Sequence, residues 1–279
     1  MSYTLQSINY KTVMETDQFI LESEYHYKEQ VEKAAEMIAE NTAKSPIVLL
    51  AGPSGSGKTT TAKKVCESLA KKGFTCHSIG MDDYFIDVDP ETYPRNPDGT
   101  YDFERPSCVD MELLRDHFDK LSKGEPIDVP KFDFTVQKRM PGVTEHLEIG
   151  KSDVVIFEGI HALNPMITDT YPDAFRLYVA AISDVEFNDE IVFKNTWIRL
   201  LRRMIRDSLT RGRNPATTVV SWDSVRNGEK KYITPYKDTA HIQIDTVHPY
   251  EMAMMNHLCT KMFSEIPKDT VRYDEIKSI

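Results

Sequence analysis

At 279 residues with a net charge of −10 and a pI of 5.3, the chain can bury a sizeable α/β core and offers no broad basic surface for duplex nucleic acid. Its four cysteines form no C-x-x-C pair and no zinc spacing with histidine, which excludes a metal-stapled scaffold. With no charged-then-apolar leader and no apolar run of membrane-spanning length, a soluble, cytoplasmic protein with no membrane partner is expected.

Residues 1–22 carry mixed patterning that fixes no element. Over 24–41, Val31, Ala34, Ala35, Ile38 and Ala39 share one helical face, predicting a helix that packs beside a sheet. Residues 47–51 form a short apolar, β-branched run that reads as a buried parallel strand. Directly after it, Gly52-Pro53-Ser54-Gly55-Ser56-Gly57-Lys58-Thr59 fits G-x-x-x-x-G-K-[ST] without a mismatch. Ala62, Val65, Cys66, Leu69 and Ala70 then recur as one helical stripe that Gly73 can end, which makes Cys66 a reduced core residue. Strand, glycine turn and helix N-terminus gather backbone N–H groups around one anion. The nucleotide-binding set is therefore Gly52, Ser54, Gly55, Ser56, Gly57, Lys58, Thr59 and Thr60. Lys58 meets the β- and γ-phosphates of ATP, and the Thr59 hydroxyl ligates Mg²⁺. The flanking elements argue against a Gly/Ser linker, and the glycine spacing argues against G-x-G-x-x-G.

Residues 74–79 read as a second strand that runs into Met81-Asp82-Asp83-Tyr84-Phe85. Ligands of open α/β sheets bind at the carboxyl ends of strands, so this acidic pair faces the phosphates. The alternative is a capped turn, and adjacent side chains point apart, so only one of the two is expected in catalysis. Residues 86–106 read as a long functional loop. Asp110 can cap a helix bearing Leu113, Leu114, Phe118 and Leu121. Residues 129–139 alternate apolar and polar side chains, a strand or hairpin outside the main sheet. Residues 154–157 are another buried strand, ending at Glu158, where a P-loop enzyme holds its Mg²⁺ shell; residues 176–180 follow as a further strand. Over 195–209 a helix carries Trp197, Leu200, Leu201, Met204 and Ile205 on one face and Arg199, Arg203 and Arg206 on another, with Arg211 and Arg213 beyond. A solvated basic face competes with phosphate contact, which arginine forks suit. Residues 241–244 read as a last strand and 250–263 as a last helix.

Several of these segments together resemble the uridine kinase and phosphoribulokinase family of P-loop kinases. They are residues 52–59, Met81-Asp82-Asp83-Tyr84-Phe85, Tyr101-Asp102-Phe103-Glu104-Arg105-Pro106, Pro130-Lys131-Phe132-Asp133-Phe134, Phe157-Glu158-Gly159-Ile160, and Arg202-Arg203-Met204-Ile205-Arg206-Asp207 with Arg211-Gly212-Arg213. Residues 158–165 and 222–236 resemble its bacterial uridine-kinase-like branch. The resemblance implies an α/β fold: a mostly parallel P-loop sheet with helices on both faces, a small β-rich insertion and an arginine-rich lid helix. It divides the chain into an N-terminal extension (1–45) and a kinase domain (46–279) with an acceptor-binding insertion (86–140) and a lid (195–214). It implies Asp82 as the base, with Lys58, Arg206 and Arg211 acting on the phosphoryl group, and Arg203 and Arg213 contacting both nucleotide and acceptor. Thr59 and Glu158 hold Mg²⁺. Glu104 binds the ribose hydroxyls where uridine kinases have Asp, and Asp82, Tyr84, Phe132, Phe134, Gln137 and Arg139 complete the acceptor site. Uridine kinases carry Tyr in the segment matching Phe132 and His where this chain has Gln137, so the base pocket departs from theirs.

The expected reaction is ATP-dependent phosphorylation of a small sugar-containing metabolite, foremost a nucleoside 5′-hydroxyl. A sugar-phosphate kinase is the second reading, with Arg105 and Arg139 as its cationic pocket, and a nucleotide-binding switch the third. His161 is a loop-stabilising residue or a substrate contact. A homo-oligomer is left open.

Overall fold

The computed structural model describes residues 3–97 and 99–279, the His257 side chain excepted. A short strand, β1 (Tyr3–Thr4), leads into helices α1 (Leu5–Met14) and α2 (Thr16–Asn41). Thr4 caps α1, its hydroxyl accepting from the Ser7 N–H, and the helix expected over 24–41 begins eight residues earlier, at Thr16 of α2. Next come β2 (Ile47–Ala51), α3 (Lys58–Ala70) and β3 (Thr75–Gly80). After a long loop with 3-10 turns at Met81–Tyr84 and Pro106–Cys108 and isolated bridges, α4 (Met111–Ser122) starts at Asp110, which accepts from the Leu113 N–H. Strands β4 (Ile127–Asp133) and β5 (Lys138–Leu147) form an antiparallel hairpin outside the main sheet. Then follow β6 (Asp153–Gly159), a single helical turn α5 (Pro165–Thr168), β7 (Phe175–Ala180), β8 (Val185–Phe187), β9 (Glu190–Phe193), α6 (Asn195–Arg211), α7 (Pro215–Tyr232), β10 (Ile242–Asp245), α8 (Glu251–Ser264) and α9 (Tyr273–Ser278).

The main sheet has the order β10-β7-β2-β6-β3 with every pairing parallel, which puts the phosphate-loop strand at its centre. All five residues of β2 are buried because both sheet faces are covered. Strand alternation divides them: Val48 and Leu50 pack with Val31, Ala35 and Ile38 of α2 and Val65 and Leu69 of α3. Ile47, Leu49 and Ala51 face the other way, toward Leu114, Phe118 and Leu121 of α4. Each buried Val, Leu, Ile or Phe among them contributes on the order of 1.5–3 kcal/mol by leaving water.

Two features depart from expectation. The N-terminal residues join the rest of the molecule through β1, which pairs with β8 in a separate β1-β8-β9 sheet. Cys66 is not a reduced thiol: it is bonded to Cys76, with the two Cα atoms 5.1 Å apart. The turn at Gly73 folds β3 back along α3, so that two cysteines in neighbouring elements face each other. Among the described residues no helix is long and apolar enough to cross a membrane.

Candidate active site

The loop between β2 and α3 is drawn tight by its neighbours. Gly55 has φ +74°, and a Cβ there would lie 2.6 Å from the Arg199 carbonyl, so only glycine lets α6 approach this closely. Thr246 donates to the Ser56 carbonyl at 2.8 Å and accepts from Arg202, which also grips Glu251 of α8. At its start α3 has no acidic residue in the first turn and no side-chain cap, so its N–H groups and dipole are open to an anion. Lys58 reaches back to the Pro53 carbonyl at 3.3 Å. Burial pushes its ammonium pKa down, while Glu158, Asp82 and Glu104 push it up. Thr60 is exposed on the same turn.

Sheet register brings the carboxylates to this lysine. Glu158 on β6 lies between Leu50 of β2 and Gly80 of β3, the last residue before the Met81–Tyr84 turn. Thr59 Oγ1 donates to Glu158 Oε1 at 2.5 Å. Asp82 keeps solvent access at the mouth of the cleft, yet protein surrounds it closely enough that burial raises its carboxyl pKa. Lys58, Arg211 and Arg206 oppose that rise and Asp83 adds to it. Asp83 points elsewhere: it accepts from the Phe132 N–H and from Lys131, both at 3.2 Å, and so ties the hairpin to the sheet.

Glu104 enters from the long loop, where Asp102 accepts both its N–H, at 3.0 Å, and Arg105 Nε, at 2.8 Å. Its own Oε2 is buried without a hydrogen-bond partner. Burial carries its pKa up to about 7, with Arg203 the strongest opposing charge. Its back rests on Gly228 of α7, where a Cβ would come within 2.4 Å of Glu104 Cβ. Phe85, Phe132, Phe134 and Phe103 make an aromatic wall nearby. Phe132 is buried within it, and Phe134 is 49% exposed. Gln137 sits in the hairpin turn at φ +57°, its carbonyl accepting from the Val88 N–H.

Three expected contacts are corrected. Tyr84 cannot meet an acceptor: it is fully buried, and its hydroxyl bonds to His117 of α4 at 2.8 Å. Arg139 is spent on the carbonyls of Phe85 and Tyr84 and on Asp110, tying β5 to the segment before α4. Arg199 leaves the arginine face, 2% exposed and bidentate with Glu229 of α7. A planar fork buried on a carboxylate explains that choice. His161 is 1% exposed, its ring set against the backbone of Glu104 and Arg105. Burial lowers its pKa to about 4, and it lines a small cleft with Met81, Asp82, Phe85 and Ile160.

The remaining arginines converge. Arg203 donates to Ser54 Oγ at 2.6 Å, and the positive charges of Arg211 and Arg206 act on Asp82. Arg213 is exposed just past the helix, its N–H held by the Asp207 carbonyl. Asp207 has no role legible in the sequence, although it lies four residues from both Arg203 and Arg211. Gly228 is equally silent there, since a glycine inside a helix gives no hint of what crosses it.

Residues 47–253 match the model of the Phosphoribulokinase / Uridine kinase family. The chain is similar to the protein named Uridine kinase of Anoxybacillus flavithermus, 33% identical over 206 residues that cover 72% of this chain and 86% of that one. It is similar also to Uridine kinase of Deinococcus deserti, 30% identical over 199 residues, 71% of this chain and 86% of the other. Among solved structures, D-glycerate 3-kinase from Cryptococcus neoformans var. grubii shares the fold at a TM-score of 0.53 and 13% identity, over 74% of this chain and 89% of that chain.

Proposed function

Because this chain belongs to the phosphoribulokinase and uridine kinase family, we propose that it is a cytoplasmic ATP-dependent kinase whose acceptor is a nucleoside, phosphorylated at its 5′-hydroxyl. One observation carries the reading: Thr59 Oγ1 of the phosphate loop donates to Glu158 Oε1 at 2.5 Å, and Glu158 is paired with Gly80, from which the turn bearing Asp82 starts. The metal-side and base carboxylates thus stand at one end of the sheet beside the nucleotide loop, as transfer between adjoining donor and acceptor requires.

In this reading Asp82 takes the proton of the acceptor hydroxyl as it attacks the γ-phosphorus in line, and the β–γ bridging bond breaks to release ADP. Lys58, Arg206 and Arg211 balance charge on the phosphoryl oxygens. Glu104 accepts from two vicinal ribose hydroxyls with the lone pairs its unpartnered oxygen has to offer. The aromatic wall at Phe132 and Phe134 gives the base an apolar face. Thr59 and Glu158 are hard oxygen donors that suit Mg²⁺, and no group of three or more His, Cys, Asp or Glu that could hold a metal occurs among the described residues. That fits an ion that takes most of its ligands from phosphate and water. When bound, Mg²⁺ would neutralise charge on the phosphates.

A phosphorylated acceptor would need free cations beside Glu104. Arg139 is committed to carbonyls and Asp110, and Arg105 to Asp102, which favours a neutral nucleoside over a sugar phosphate. The test is an ADP-release screen against nucleosides, ribose-type sugars and their phosphates, followed by mass spectrometry of the product. A nucleoside 5′-monophosphate is expected. Turnover of a sugar phosphate alone, with every nucleoside inert, would replace this reading with the other.

A further inference from the structure

Asp207 is completely buried on α6, yet three guanidinium groups meet on it. Its Oδ1 accepts from Arg206 Nη2 at 2.8 Å and Nε at 3.1 Å, and from Arg211 Nη1 at 3.4 Å. Its Oδ2 lies 3.4 Å from Arg203 Nε, an ion pair in which neither atom makes a hydrogen bond among the described residues. One oxygen thus takes the hydrogen bonds of Arg206 and Arg211, and the other lies beside the charge of Arg203. The charges of Arg206 and Arg211 act on Asp82, while Arg203 donates to Ser54 of the nucleotide loop and its charge acts on Glu104. The Asp207 carbonyl also takes the Arg213 and Gly212 N–H groups, closing the end of α6.

We infer that Asp207 is a positioning residue, the shared counter-ion that holds Arg203, Arg206 and Arg211 in one array facing both the nucleotide phosphates and the acceptor carboxylate. Three like charges on successive helical turns repel one another and would swing into solvent without it. One buried carboxylate cancels one of the three charges and fixes the direction of the others, leaving net positive charge for phosphate. A guanidinium fixed before the ligand arrives loses less freedom on binding, which is the advantage of preorganisation. Asp207 touches neither substrate, and its effect passes entirely through the arginines. The inference rests on the kinase reading but not on the acceptor's identity.

The experiment is a double-mutant cycle read by calorimetric binding of ADP, with no acceptor present. Asp207→Asn in the otherwise native chain should weaken ADP binding by roughly tenfold to a hundredfold, the range for losing a charge-assisted hydrogen bond to phosphate. In an Arg203→Gln/Arg206→Gln/Arg211→Gln background the same change should weaken it by no more than about threefold, because the groups it aims are gone. Thermal unfolding of each variant checks the fold. An equal penalty in both backgrounds would mean a general structural role and overturn the inference, as would native ADP affinity in a folded Asp207→Asn protein. Should that protein not fold, Asp207→Glu is taken through the same cycle. It keeps the charge and displaces the arginines by one methylene, and the same coupling or its absence decides. Loss of the nucleoside reading would leave these binding results unchanged, so the two can fail separately.

Discussion

Thr59 Oγ1 stands 2.5 Å from Glu158 Oε1, a hydroxyl in the first turn of α3 donating to a carboxylate at the end of β6. Strand β6 brings Glu158 alongside β2, and the tight glycine loop that leaves β2 sets Thr59 against it at the start of α3. Glu158→Gln keeps the hydrogen bond but removes the charge that favours a cation. The Mg²⁺ concentration for half-maximal ADP release should rise by roughly 10–100-fold, the range for losing a supporting carboxylate at a metal site. ADP binding without Mg²⁺ should not weaken. An unchanged Mg²⁺ requirement would remove Glu158 from the metal site.

Asp82 and Asp83 separate into two roles that a rate measurement can distinguish. Asp82→Asn cannot take a proton, so kcat should fall by roughly 10²–10⁴-fold with little change in ATP binding. Asp83→Asn loses its charged grip on Lys131 and loosens the hairpin, so the acceptor KM should rise several-fold while kcat stays near native. Near-full turnover by Asp82→Asn would move the base elsewhere.

The central strand, the glycine turn, the following helix and the outlying hairpin were legible because each is a local pattern: an apolar run, a spaced motif, a helical stripe, an alternation. The parallel sheet with helices on both faces follows from those elements. What local patterns could not show were the partners chosen across the fold. Arg199 has the same helical spacing as Arg203, and nothing in the sequence reveals that Glu229, thirty residues on, will bury it. Tyr84 stands beside the acidic pair, but the 3-10 turn rotates it inward to His117. Arg139 reads as a cation for the acceptor until the carbonyls of Phe85 and Tyr84 come into range. The Cys66–Cys76 bond depends on how β3 returns along α3, which residue spacing leaves undetermined.

Gly228 offers a test in which stability and activity part. Alanine improves helix propensity by about 1 kcal/mol relative to glycine, but its Cβ would sit 2.4 Å from Glu104 Cβ, so the Glu104 loop must yield. Gly228→Ala should remain folded, raise the acceptor KM at least several-fold and leave ATP KM near native. Unaltered acceptor kinetics would show that Glu104 is not held by α7 in the working enzyme.

Glu104 also predicts a pH dependence with a definite sign. Its folded pKa is raised from 4.5 to about 7 by burial, so the folded state holds the proton more tightly than the unfolded one. Its stabilising contribution is complete below the unfolded value and is lost as pH rises through 4.5 to about 7. Replacing it with glutamine removes a charge that must be buried at high pH and little that matters at low pH. Glu104→Gln should therefore unfold at a higher temperature than the native chain at pH 8, a gain on the order of 1–3 kcal/mol, and match it at pH 4. Acceptor binding moves the opposite way. The ionised carboxylate is the better hydrogen-bond acceptor for two hydroxyls, so the native acceptor KM should rise as pH falls below about 7, while that of Glu104→Gln, higher throughout, should stay flat over the same range. Melting curves at the two pH values and acceptor KM from pH 5 to 9 read both effects. An equal stability difference at the two pH values would refute the raised carboxyl, and a native KM that is flat across pH 7 would refute its contact with the acceptor hydroxyls.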